Sequence, residues 1–114
     1  AHALLPRAPK GAKTAGKYAD TAVRLLLDEV LAKGARREML RAKLVGGAQM
    51  FPNLNIRVTD IGKENIDEAK RALRALGIRL AAEDTQGTRG RSATFDLESG
   101  RVSVSTAFSD SHFI

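Results

Sequence analysis

The chain has 114 residues, a formal net charge of +6, 43% apolar and 28% charged residues, and no cysteine. That length suits one domain, residues 1–114, with one core; the lack of thiols excludes disulfides, thiolate metal sites and a cysteine nucleophile within these residues. No apolar run approaches the roughly 20 residues of a membrane span, and no signal peptide is visible, so a cytoplasmic protein without membrane insertion is expected.

The chain opens on AHALLP, where Ala1, Ala3, Leu4 and Leu5 surround His2 and Pro6 ends the run. Natural N-termini are more often polar and frayed. The expectation is therefore either a missing upstream piece or a buried strand starting at residue 1. Residues 6–17, with Pro6, Pro9, Gly11 and Gly16 among Arg7, Lys10, Lys13 and Lys17, read as an exposed basic loop. Such a loop is either solvated or attractive to an acidic partner.

Over residues 18–33, Ala19, Val23, Leu26, Leu27 and Val30 recur at helical steps and predict a helix, with Leu25 and Leu31 widening its apolar face. Asp20 suits the first turn, Lys33 the last, and Gly34 the C-terminal cap. Residues 39–45 alternate, with Leu40, Ala42 and Leu44 opposite Arg41 and Lys43, and predict a half-buried strand ended by Gly46 and Gly47. Phe51-Pro52-Asn53 reads as a loop or turn and 55–58 as a short extended piece. A second helix is predicted from 63 or 64 to 76, striped by Ile66, Ala69, Leu73 and Leu76 and capped by Gly77. Residues 78–83 predict a strand entering the core, 84–91 a polar loop, and 92–97 and 101–106 two strands around the turn Glu98-Ser99-Gly100. The tail, 107–114, is expected to be partly loose. Helices alternating with strands predict an α/β (α+β) layered sandwich, two main helices on a mixed β-sheet.

Chemistry is thinly marked. A lone histidine such as His2 on an apolar segment serves structure or proton transfer, and His112 sits in the tail with no role assigned. The two lack a metal-ligand spacing, so no metal or cofactor is expected. Gly46 and Gly47 allow a backbone to approach a ligand or simply end a strand tightly; no Lys-Ser/Thr pair follows to make a phosphate loop. Thr85 and Ser92 have no histidine near them in sequence, so no serine triad can be argued. Twelve arginines against seven lysines suit phosphate binding. The basic residues, however, stand beside acids, as Arg24 does with Asp28, Arg37 with Glu38 and Lys70 with Asp67, and no aromatics interleave them. Nucleic acid is not an expected partner.

The order of the segments adds what composition does not. AHALLP, KYADTA, AKLVGGAQMF, the helix DIGKENIDEAKRALRALGI and AEDTQGTRGRS, in this order and spacing, resemble the CheD family, from Ala1 to about Val104. The resemblance implies a CheD-like cysteine hydrolase fold and a deamidase that hydrolyses glutamine side-chain amides on methyl-accepting chemoreceptors. It implies a site of cysteine, histidine and threonine, of which His2 matches the histidine. The family's threonine and cysteine lie upstream of that histidine, so the chain looks like a CheD without its N-terminal part and is expected to be inactive alone. A second implied role is binding and stimulation of the CheC phosphatase. In this light Arg7, Lys10, Lys13 and Lys17 are candidates for steering to glutamate-rich receptor helices, with Gly46 and Gly47 as candidate partner contacts. A non-catalytic CheC-binding module and a small basic RNA-binding domain are the alternative readings.

Overall fold

The computed structural model describes residues 1–51, 60–107 and 109–114. The first helix, α1 (Ala19–Ala32), matches the predicted apolar stripe, with Ala19, Ala22 and Leu27 buried. It ends at Lys33, and Gly34 follows at φ 96°, the left-handed geometry that a side chain disfavours. The second, α2 (Ile61–Leu76), starts two residues before the stripe suggests. The reason is its cap: the Asp60 carboxylate accepts the Lys63 N–H at 3.0 Å, which lets Ile61 and Gly62 join the first turn. Gly77, at φ 72°, closes the other end as expected.

Four strands follow the predicted order, β1 (Arg41–Gly46), β2 (Arg79–Thr85), β3 (Ser92–Phe95) and β4 (Val102–Thr106), and a fifth, β5 (Ser109–Phe113), is formed by the tail. The α+β content agrees with the sequence reading. Parallel and antiparallel pairings fall, among the described residues, in two sheets: β1 beside β2 in parallel, and the antiparallel order β3-β4-β5. β1, α2 and β2 thus form one crossover unit, with α2 against both strands and α1 against α2. The core runs through Ala19, Ala22, Leu27, Ile66, Ala69 and Leu73, while Val104 is fully buried in the antiparallel sheet.

Three expectations change. The last residues are not loose: β5 pairs with β4, His112 opposite Val104, and the Ile114 N–H donates to the Val102 carbonyl at 3.0 Å. The opening segment is not a buried strand. Residues 1–3 carry no regular structure, His2 is exposed, and Leu5 makes a single isolated bridge to Tyr18. Its bonding explains this, because the Leu4 and Leu5 N–H groups both donate to one carbonyl, that of Lys17, instead of alternating along a partner strand. β1 starts only at Arg41, because Arg37–Met39 wind into a 3-10 turn. The extended piece expected at 55–58, and the Pro52 and Asn53 part of the preceding turn, lie outside the described residues.

Candidate active site

His2 stands at the rim of a cleft of about 240 Å³ lined by Ala1, His2, Gly16, Ala22, Leu25, Leu26 and Glu29. Helix α1 builds one wall. Its residues 22, 25, 26 and 29 repeat at helical spacing, so Ala22, Leu25 and Leu26 form an apolar floor and Glu29 a carboxylate one turn on. Leu25 and Leu26 remain 39% and 44% exposed. None of the basic-loop lysines, and neither Gly46 nor Gly47, lines this cleft.

The segment carrying His2 is fixed to the start of α1 by a dense set of bonds. The Leu4 and Leu5 N–H groups donate to Lys17 O at 2.8 and 3.1 Å. The Ala19 N–H donates to Leu5 O at 2.8 Å and the Asp20 N–H to Pro6 O at 3.1 Å, so carbonyls of the segment satisfy N–H groups at the helix start. The Ala8 N–H lies 3.1 and 3.3 Å from the two oxygens of the Asp20 carboxylate, which accepts it. Asp20 also accepts the Thr21 N–H at 2.8 Å.

A second attachment reaches α2. Arg7 Nη1 donates to Glu68 Oε1 at 2.8 Å, and Arg71 Nη1 lies 3.0 Å from the same oxygen. Glu68 is the one buried charged side chain among the described residues, at 5% exposure. Burying a carboxylate without such partners is costly. The hydrogen bond and charge of Glu68 in turn raise the Arg7 pKa.

The basic loop is therefore less uniform than its sequence. Arg7 is drawn to Glu68, and the Lys17 ammonium sits 5.9 Å from the Tyr18 ring centre. Lys10 and Lys13 are exposed.

The glycines singled out in the sequence have a packing task. A Cβ added at Gly47 would stand 2.5 Å from Ile66 Cγ1 and 2.8 Å from Gly62 O, so the exit of β1 lies directly on the first turn of α2. Gly46 has open space around its Cα. This turn meets the 84–91 loop, with the Gln86 N–H donating to Gly46 O and the Gln49 N–H to Gly87 O. Arg91 fastens that loop from inside, with Nε 2.7 Å from Asp84 Oδ1 and Nη1 2.7 Å from Gln86 O. His112, given no role by the sequence, places Nε2 2.7 Å from Asp84 Oδ2. A larger cleft, about 360 Å³, is ringed by Arg37, Arg41 and Arg79. Arg37 donates to the Leu76 carbonyl, so this charge meets the negative end of α2.

Sequence reasoning missed Asp20 and Glu68. Asp20 read only as a first-turn acid. Glu68 was not singled out, although it lies directly beside Ala69 of the buried stripe, which was its available signal.

No group of three metal-ligating side chains occurs among the described residues. No helix among them is long and apolar enough to cross a membrane.

The family described as CheD chemotactic sensory transduction matches residues 4–106. The chain belongs to the CheD family. It is 50% identical over 103 residues to the probable chemoreceptor glutamine deamidase CheD of Pyrococcus horikoshii, covering 89% of this chain and 64% of that protein. It is 42% identical over 104 residues to the chemoreceptor glutamine deamidase CheD of Thermotoga maritima, covering 91% of this chain and 64% of the relative. The chain thus spans just under two thirds of the length of these CheD relatives. The family match takes in the helix–strand framework and the 84–91 loop, begins two residues after His2, and stops before β5.

Proposed function

We propose that this chain carries the histidine of a chemoreceptor glutamine deamidase. The observation that carries the reading is the match to the CheD family over residues 4–106, with AH-x-x-LP leading directly into it. The reaction follows from the chemistry of a thiol paired with an imidazole. His2 takes the proton of a cysteine thiol, and the thiolate attacks the side-chain amide carbon of a receptor glutamine. The imidazolium returns that proton to the departing nitrogen, so ammonia leaves and a thioester remains. Water, deprotonated by the same imidazole, hydrolyses the thioester to glutamate and frees the thiol. The exposed position of His2 suits a macromolecular substrate, which must present its glutamine from outside.

The substrate is the helical cytoplasmic region of a methyl-accepting chemoreceptor, and the working compartment is the cytoplasm. Lys10, Lys13 and Lys17 steer that acidic surface, with Arg7 contributing less because Glu68 engages it. Binding to CheC is a second task of the same domain and needs no thiol. Nucleic acid is not a partner.

The test is the complete gene product incubated with a chemoreceptor cytoplasmic fragment, followed by mass spectrometry of its glutamines. Conversion to glutamate is expected, and H2A should slow it by about 100-fold or more, the usual worth of a general acid–base. The 114 residues alone, having no thiol, should convert none. Undiminished conversion by H2A would overturn the assignment of His2. Conversion by the 114 residues would overturn the thiol route.

A further inference from the structure

We infer that Asp20 is a positioning residue for His2, its carboxylate tethering the histidine-bearing segment to the first turn of α1. The inference rests on the deamidase reading for its purpose, but its geometry stands apart from it.

Asp20 grips the segment twice. Its own N–H donates to Pro6 O at 3.1 Å, and its carboxylate accepts the Ala8 N–H at 3.1 and 3.3 Å. These contacts bracket Arg7, so residues 6–8 are bound to one residue of the helix. On the near side, Leu4 and Leu5 donate to Lys17 O. His2 is thus two residues from the first fixed point, and it lines the same cleft as Ala22, Leu25 and Leu26. Without regular structure of its own, the segment takes its direction from these attachments.

A purely helical role for Asp20 explains less. The N-cap of α1 is Tyr18, which makes no side-chain capping bond. An acid in the first turn is favoured by the helix dipole wherever it points. Here, besides the Thr21 N–H, it accepts a backbone N–H outside the helix, twelve residues earlier in the chain. Removing the carboxylate leaves the half-buried Ala8 N–H without that acceptor and loosens the chain after Arg7, while the residue-20 backbone N–H still holds Pro6 O.

A catalytic base needs this restraint, because a ring free to rotate is aligned with its thiol only part of the time. The Glu68–Arg7 pair acts on the same segment from α2, so the histidine's placement is referred to both helices.

The experiment uses the isotopically labelled 114-residue chain and two NMR readouts, hydrogen exchange at the Ala8 amide and relaxation of the His2 ring. D20A should speed Ala8 exchange by about tenfold or more, the worth of one hydrogen bond to a charged group. It should also raise His2 ring mobility, while the amides of Leu27 and Val30 keep their protection. D20N retains an acceptor oxygen and should restore most of both effects. D28A, which removes an acid on the exposed face of the same helix, should change neither. If D20A unfolds α1, D20N decides. A His2 ring already mobile in the unaltered chain, a ring indifferent to D20A, or a D20N variant no better than D20A would each overturn the inference. Neither readout involves deamidation, so failure here leaves the deamidase reading untouched, and absence of deamidation leaves the tether measurable.

Discussion

Removing both arginines from Glu68 should cost far more than the two single losses together. The Glu68 side chain is 7% exposed, whereas Arg7 and Arg71 are 60% and 67% exposed. The carboxylate has therefore surrendered most of its water, and each guanidinium has kept most of its own. With either arginine gone, the other still meets the buried oxygen and the loss stays small. With both gone, the charge is buried without a partner, a state that costs about 3–5 kcal/mol. Against a total stability of about 5–15 kcal/mol for a domain, that is enough to leave a large unfolded fraction.

The assay is urea denaturation of R7A, R71A and the double variant, read as a double-mutant cycle at equal slope. E68M supplies the counter-test. Replacing the carboxylate and its demand for partners with a chain of similar volume should be near neutral in stability. A double variant that merely adds the single effects would refute the reasoning, since Glu68 would then retain enough water to stand alone. So would a severe loss in E68M.

G47A and G62A should each destabilise the chain by about 2 kcal/mol or more, because the new Cβ overlaps backbone across the β1–α2 contact, whereas G46A should cost only its backbone strain at φ 109°; equal midpoints for the three in urea would refute this. R91K should lose about 2 kcal/mol and accelerate exchange at Gln86, since one ammonium cannot reproduce bonds to Asp84 Oδ1 and the Gln86 carbonyl together; unchanged exchange would count against it. The hydrogen bonds from Lys70 and then from Thr85 hold the Glu83 carboxyl below its ordinary value. Its contribution is therefore complete above that ordinary value and fades as pH falls through the lowered one, and K70M should flatten this acid limb of a stability–pH profile.

The fold was legible wherever one period dominated. The α1 stripe and the alternation of Val102 and Val104 located α1 and β4 to within a residue or so, because burial of one face is the force that orders both. What escaped was decided by single contacts. The start of α2 depends on one Asp60 oxygen, which no periodicity encodes. The tail looked loose because AFSDSHFI lacks an apolar face. It is ordered by edge pairing to β4, by His112 on Asp84, and by Arg101 over the Phe113 ring, 3.7 Å from its centre. Lys43, read as solvent-facing, instead turns half-buried to the Ile114 carbonyl at 2.6 Å. Polar side chains acting at long sequence separation are invisible to a pattern that scores only neighbours.

The same distinction governs the site. His2 is a candidate only through its motif, since an imidazole among apolar residues carries no periodic signal. The residues that hold its segment were visible in neither way, because Asp20 and Glu68 look like ordinary helix-surface acids until their partners are known. Each serves its own helix, Asp20 through the Thr21 N–H and Glu68 through Arg71, and also reaches out to the loop between His2 and α1. A basic loop that reads as four equivalent cations then separates into Arg7, which anchors, and three lysines left to meet solvent or an acidic partner. Charge reversal should therefore divide the loop: K10E and K13E should slow receptor association and weaken its dependence on salt while leaving stability alone, whereas R7E should disturb the anchoring of the segment as well. Equal effects of R7E and K13E on both association and stability would mean that the Arg7–Glu68 contact does not organise the loop.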